Sequence, residues 1–200
     1  MNLTITSFPT TSAVGSLELA RLKTFLRIEN DEEDLDLKDY YMAAASMFES
    51  ITGRGVFTTS RRLALECLPE TAGLDGFLVA LPYPKLLTVA SVKYYDDDDT
   101  EQTLDSQYYV TQTAGEIGRV TLLPDGVTAM GDLSIHVAYP ISINYTSGYG
   151  ADTTYLPLGV KNWLRECTKW IYNVKGRESA EGIPAYLRHL AGLWKLGEMW

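Results

Sequence analysis

The sequence predicts an α+β fold: a small helical bundle, an antiparallel β region inserted into it, and a further helix at the C-terminus. Three observations carry this. Two segments near the start, 16–28 and 31–53, repeat apolar residues at helical spacing. Residues 56–146 hold short runs rich in β-branched and aromatic residues, parted by turn formers. Helical spacing then returns after Pro157. The predicted organisation is an N-terminal helical part over 1–55, an inserted β region over 56–150, a third core helix within 151–176, and a linker with a C-terminal helix over 177–200.

Residues 1–15 are rich in Thr and Ser and are predicted to be extended or mobile. Ser16 is a candidate N-cap for a short helix to about Ile28, with Leu19, Leu22 and Leu26 on one face and Phe25 beside them. In the second helix, Asp31-x-x-Asp34 resembles a capping box. Glu32, Glu33 and Asp36 add negative charge where the helix dipole favours it. Leu37, Tyr40, Tyr41, Ala44, Met47, Phe48 and Ile51 follow at helical spacing, and Gly53 is a natural stop. This tyrosine and methionine stripe, with Trp163 and Trp170 further on, supplies the candidate core or subunit-interface residues: Tyr40, Tyr41, Met47, Trp163 and Trp170.

Strands are expected over Val56–Cys67, Gly76–Leu81, Leu86–Tyr95, Thr103–Thr111, Arg119–Leu123 and Leu133–Thr146. Asp96, Asp97, Asp98 and Asp99 cannot pack in a core and are expected to form an exposed acidic turn closing a hairpin. In the last run, Leu133, Ile135, Val137, Tyr139, Ile141, Ile143 and Tyr145 alternate with smaller or polar residues, which predicts one buried face. Pro140 cannot donate to a ladder, so the run bends there, lies on an edge, or is two strands. Pro157 suits the first turn of a helix carrying Val160, Trp163, Leu164, Cys167, Trp170, Ile171 and Val174, stopped by Gly176. After a polar linker, Ile183-Pro184 opens the last helix, with Gly192 and Gly197 in its interior and Met199-Trp200 at its end.

At 200 residues and 46% hydrophobic the chain can bury a real core. Its charge of −9 is uneven: residues 157–200 carry seven basic and four acidic side chains, so the remainder holds −12. An acidic body argues against tight nucleic-acid binding. Cys67 and Cys167 show no metal spacing and read as two reduced, buried thiols. No run is long and apolar enough for a membrane span, and the N-terminus lacks a signal-peptide pattern, so synthesis in a cytoplasm and no membrane partner are expected.

No catalytic constellation stands out. The nucleophile elbow, zinc-protease, P-loop and dinucleotide-binding patterns are absent, and no metal or cofactor is expected. His136 falls on the wetter side of a strand and His189 beside the apolar face of the last helix. A hydrolytic pair drawn from Glu66, Glu70 and Asp75 is the weakest reading. A β-rich ligand- or glycan-binding module without ring assembly is the alternative, with Tyr94, Tyr95, Tyr108, Tyr109, Tyr145 and Tyr149 as an aromatic platform.

Leu81–Tyr95 (LPYPKLLTVASVKYY) with its aspartate turn resembles the head–tail connector, or adaptor, proteins of long-tailed bacteriophages and of phage-derived gene transfer agents. Leu19, Lys23, Leu26, Arg27, Asp34, Ala44, Glu49 and Thr52-Gly53-Arg54 stand in the order that family shows across its first two helices. Asn144–Gly150, Leu156-Pro157 and Lys161 resemble its sheet exit and third helix. The resemblance spans roughly Leu17 to Val174. It implies a structural protein of the virion neck, at the head–tail junction, and not an enzyme. It implies a homo-oligomeric ring of about twelve copies under the portal, closed by a head-to-tail interface. The partners implied are the portal protein and a downstream connector, stopper or tail-terminator protein, with DNA passing through the lumen without specific binding. The helical core would form the ring body, and the sheet with its aspartate turn would project from it. The family's C-terminal segment engages the portal, which makes Tyr186, Leu187, Leu190, Leu193, Trp194, Met199 and Trp200 the candidate portal-binding residues, as a region. Trp194 and Trp200 are the expected anchors.

Overall fold

The computed structural model describes residues 1–68, 76–174 and 182–196. The class is α+β, and the chain divides into two compact units that interleave in sequence. One comprises Met1–Phe8 and Thr59–Gly148, the other Pro9–Thr58 and Tyr149–Trp200.

The first unit is built on two antiparallel sheets. The larger has the order β1 (Asn2–Ser7), β2 (Thr59–Leu65), β8 (Ile141–Ser147), β4 (Leu86–Tyr95), β5 (Glu101–Leu104). The smaller has β3 (Phe77–Ala80), β7 (Arg119–Leu122) and β6 (Tyr109–Gln112). The expected hairpin is present, with Tyr95 opposite Glu101 and Val92 opposite Leu104. β2 alternates buried and half-buried residues, as a one-sided strand must, and its partner β8 places Ile143 opposite Leu63 and Ile141 opposite Leu65. These four side chains pack with Val79, Leu81, Leu86, Val92, Val120 and Leu122 into one core.

Several expectations change. Residues 2–7, expected to be extended or mobile, are extended and paired as a strand: Leu3 packs on the sheet core while the rest of β1 stays largely exposed. The run expected over Thr103–Thr111 breaks at Asp105, whose carboxylate accepts from the Gln107 amide at 3.0 Å. That turn sends the chain from the larger sheet to the smaller one. The long strand expected over Leu133–Thr146 is only β8. Upstream, Ser134 Oγ accepts from the amides of His136 and Val137 at 3.1 and 3.2 Å, folding that stretch into a turn that leaves Ile135 92% exposed. Pro140 marks the break, and its carbonyl accepts from the Tyr95 amide at 2.8 Å. An unexpected short helix, α3 (Pro124–Met130), opens with proline at its start and Asp125 in its first turn.

The second unit is a helical bundle of α1 (Ser16–Leu26), α2 (Asp34–Thr52), α4 (Leu158–Val174) and α5 (Ala185–Gly192). Its core joins Leu22, Leu37, Phe48, Val56, Val160 and Leu164, all fully buried, with Phe48 and Trp163 in edge contact at 5.1 Å. Gly53 ends α2 with φ +69°, the left-handed geometry expected of that stop. Gly15, not Ser16, is the N-cap of α1, and Ser16 is its first helical residue. No side-chain cap opens α2. Asp31 and Asp34 instead both reach Lys23 of α1, the latter at 2.8 Å, so these acids staple two helices together. Gly192 is the last residue of α5 and not in its interior. Gly176, Gly197 and the linker over 177–181 lie outside the described residues.

Candidate functional site

The helical unit is tied together by one buried ionic cluster. Glu18 on α1 is 4% exposed and accepts from Arg165 of α4 through Nε at 2.8 Å and a terminal nitrogen at 2.7 Å. The Tyr41 hydroxyl of α2 donates to the same carboxylate at 3.2 Å. Burial, and then the Glu18 charge, push the Tyr41 phenol far above its usual value, so it stays a donor. Three helices therefore meet at one carboxylate whose bidentate partner satisfies it.

The five candidate interface residues separate into two groups. Tyr41 and Trp163 are core side chains. Tyr40, Met47 and Trp170 are half-buried and line, with Ile171 and Val174, an open and almost wholly apolar cleft of about 270 Å³ between α2 and α4. The sequence stripe did not distinguish the two sides of α2. Tyr40 and Met47 sit seven residues apart on one line of that helix, whereas Tyr41 and Phe48 sit on the next.

The C-terminal helix also divides. Leu187 and Ala191 are fully buried, and the Trp163 indole donates to the Leu187 carbonyl at 2.7 Å. Trp194 is half-buried. A Cβ placed on Gly159 would meet its ring at 2.7 Å, and its carbonyl accepts from Arg54 Nε at 2.5 Å. These three residues anchor α5 to its own unit. Tyr186, Leu190 and Leu193, spaced by four and three, face outward at 53, 43 and 74% exposure. Met199 and Trp200 lie outside the described residues.

The aspartate turn is only partly a free acidic loop. Asp96 accepts from the Gln102 side chain at 2.9 Å and the Thr100 amide at 2.8 Å, and these bonds hold its carboxyl below the ordinary range. Asp99 accepts from Ser134 Oγ and lies 3.6 Å from His136 Nδ1. Asp97 and Asp98 are exposed. Among the described residues no group of three His, Cys, Asp or Glu is placed to hold a metal. Glu66 is exposed, and its proposed partners Glu70 and Asp75 lie outside the described residues. Cys167 is buried, its thiol pushed up to about 12 by burial, whereas Cys67 is exposed, contrary to the expectation of two buried thiols. The tyrosines do not make a single platform: Tyr145 is 1% exposed with its hydroxyl on the Pro82 carbonyl, Tyr94, Tyr108 and Tyr109 pack on the sheet core, and Tyr149 belongs to the helical unit.

Sequence reasoning passed over Arg61. This β2 residue is 1% exposed, donates to Ser147 Oγ at 2.6 Å and lies 4.7 Å over the Tyr83 ring. Its position on the buried face of an alternating strand was the available signal.

No family model and no curated protein matches this chain. Solved structures do. The fold is similar to that of a chain in the neck of the empty gene transfer agent particle computed with C6 symmetry, at 21% identity and a TM-score of 0.75 over 100% of this chain and 98% of the other. Chains in the virion of the native gene transfer agent particle and in its neck computed with C12 symmetry are each 20% identical, with TM-scores of 0.74 and 0.72 and the same coverage.

Proposed function

We propose that this chain is a structural protein of a virion neck, a head–tail adaptor. It forms a homo-oligomeric ring between the portal and the next connector or tail protein, and DNA crosses its lumen. The observation that supports this most is the likeness over the whole chain to chains of gene transfer agent necks and virions, two of them solved with cyclic symmetry. The work of such a protein is done at interfaces. The outward stripe of α5, Tyr186, Leu190 and Leu193, is the surface proposed to seat on the portal, held in place by the buried Leu187, Ala191 and half-buried Trp194. The net charge of −9 suits a channel that DNA must traverse without adhering, because like charge discourages sticking.

The test is mass by light scattering, on the purified full-length protein alone and mixed with a candidate portal. A portal-bound ring of about twelve copies is the expected result, with a closed cyclic interface. Monomer in both samples would refute the adaptor reading.

A further inference from the structure

The cleft between α2 and α4 has exposed carboxylates on its α2 approach and one exposed base, Lys169, beside Trp170 on α4. Trp170, Ile171 and Val174 place it at the C-terminal end of α4, the negative end of that helix dipole. Residues 31–39, which lead into its α2 wall, hold six acids and one base, Lys38. Lys23 engages Asp31 and Asp34, while Asp36 and Asp39 are exposed within one turn of Tyr40. The other end of α4 is the reverse in both shape and charge. Tyr155 and Leu158, three residues apart at its entrance, are 63 and 67% exposed. Lys161 follows one turn later, with the Asp152 carboxylate near it, and the packing of Trp194 on Gly159 brings Lys195 to the same end. Twelve residues of helix, about 18 Å at 1.5 Å per residue, separate Leu158 from Trp170 at the near edge of the cleft.

We infer that the α2–α4 cleft of one copy receives the Tyr155–Leu158 ridge of a second copy, so that α4 spans each subunit from one interface to the next. This rests on the ring reading above. A closed ring needs a heterologous contact in which every copy supplies both halves from different sides. The helical unit has an apolar hollow approached by Asp36 and Asp39 at one end of α4, and an apolar projection flanked by Lys161 and Lys195 at the other. Joining them removes both apolar surfaces from water and brings unlike charges together. Pairing two clefts would instead oppose the Asp36 and Asp39 carboxylates of both copies.

The test uses full-length protein carrying Cys67→Ser, which removes the exposed thiol. Val174→Cys is introduced in one preparation and Leu158→Cys in another. They are mixed, with and without portal, and treated with a short bis-maleimide. The expected result is a covalent dimer in the mixture and none in either preparation alone, with a ladder of multimers when one chain carries both cysteines. A ring of the correct mass without the 158–174 adduct overturns this contact and leaves the adaptor reading standing. An adduct within the Val174→Cys preparation alone overturns it in favour of cleft-to-cleft pairing. Absence of both ring and adduct removes the adaptor reading and this contact with it.

Discussion

At the residue scale the most consequential group is the Glu18 carboxylate. Its partner Arg165 is 15% exposed in its side chain, so removing that partner strands a charge in the interior. Arg165→Ala is expected to cost about 3–5 kcal/mol, read as a lower urea midpoint. The joint replacement of Glu18→Leu, Arg165→Met and Tyr41→Phe should recover most of that loss, since it removes the Tyr41 donor together with the charge pair and leaves no buried polar group unpaired. Asp96 sets a pH dependence. Its carboxyl is held below the usual range by Gln102 and then Thr100, so its contribution is present above an unfolded pKa of about 4 and disappears as pH falls through the folded value. Glu101 behaves alike, held down chiefly by Lys93 at 2.6 Å. The sheet unit should therefore weaken in acid below about pH 4, and Asp96→Asn should lessen the difference between urea midpoints at neutral and acid pH.

At the element scale, α5 is both a structural helix and a presented one, and substitutions should separate the two roles. Leu187→Ala is expected to cost about 2–5 kcal/mol, because it hollows a fully buried site beneath Trp163. Leu193→Ser should change stability by about 0.5 kcal/mol or less while weakening portal binding in a pull-down. Unchanged portal binding in a Leu190→Ser, Leu193→Ser double variant would count against this face. Deleting 183–200 is a poor substitute, since it uncovers the core around Trp163. The elements themselves were unequally legible. β4 was readable to its ends because two prolines precede it and four aspartates follow it. Pro140 pointed to the break that the alternation from Leu133 to Thr146 concealed. β1 was missed because Thr and Ser suit a loop as well as an edge strand, and its partner β2 lies over fifty residues away. The two faces of α2 were indistinguishable because Tyr40 and Tyr41 have the same chemistry and differ only in which side of the helix meets α4.

For the whole molecule, the uneven charge is the property with the clearest consequence. In the proposed head-to-tail contact the Asp36 and Asp39 carboxylates of one copy meet Lys161 and Lys195 of the next, an attraction that acts against the −9 each copy carries. Ring formation should weaken as salt rises, measured as a falling mass in light scattering at fixed protein concentration. The interface would retain its apolar contacts, so the effect should be graded and not a complete loss. The sequence foretold the α+β class and a likeness to chains of the gene transfer agent neck. The division into units was harder to read, because each unit is assembled from two separated stretches and periodicity reports only neighbours along the chain.

That interleaving also bears on birth at the ribosome. β1 emerges first and has no partner until β2 appears, and β2 in turn waits for β8, whose pairing residues follow some eighty positions later. α1 and α2 leave early but lack α4 until residues 158–174 are made. Neither half can close while synthesis is still in its first two thirds, so the nascent chain carries two unfinished cores at once. Contacts this distant in sequence also favour slow folding. A chaperone that shelters the emerging polypeptide should raise the yield of native protein more than it would for a chain whose domains follow one another in order.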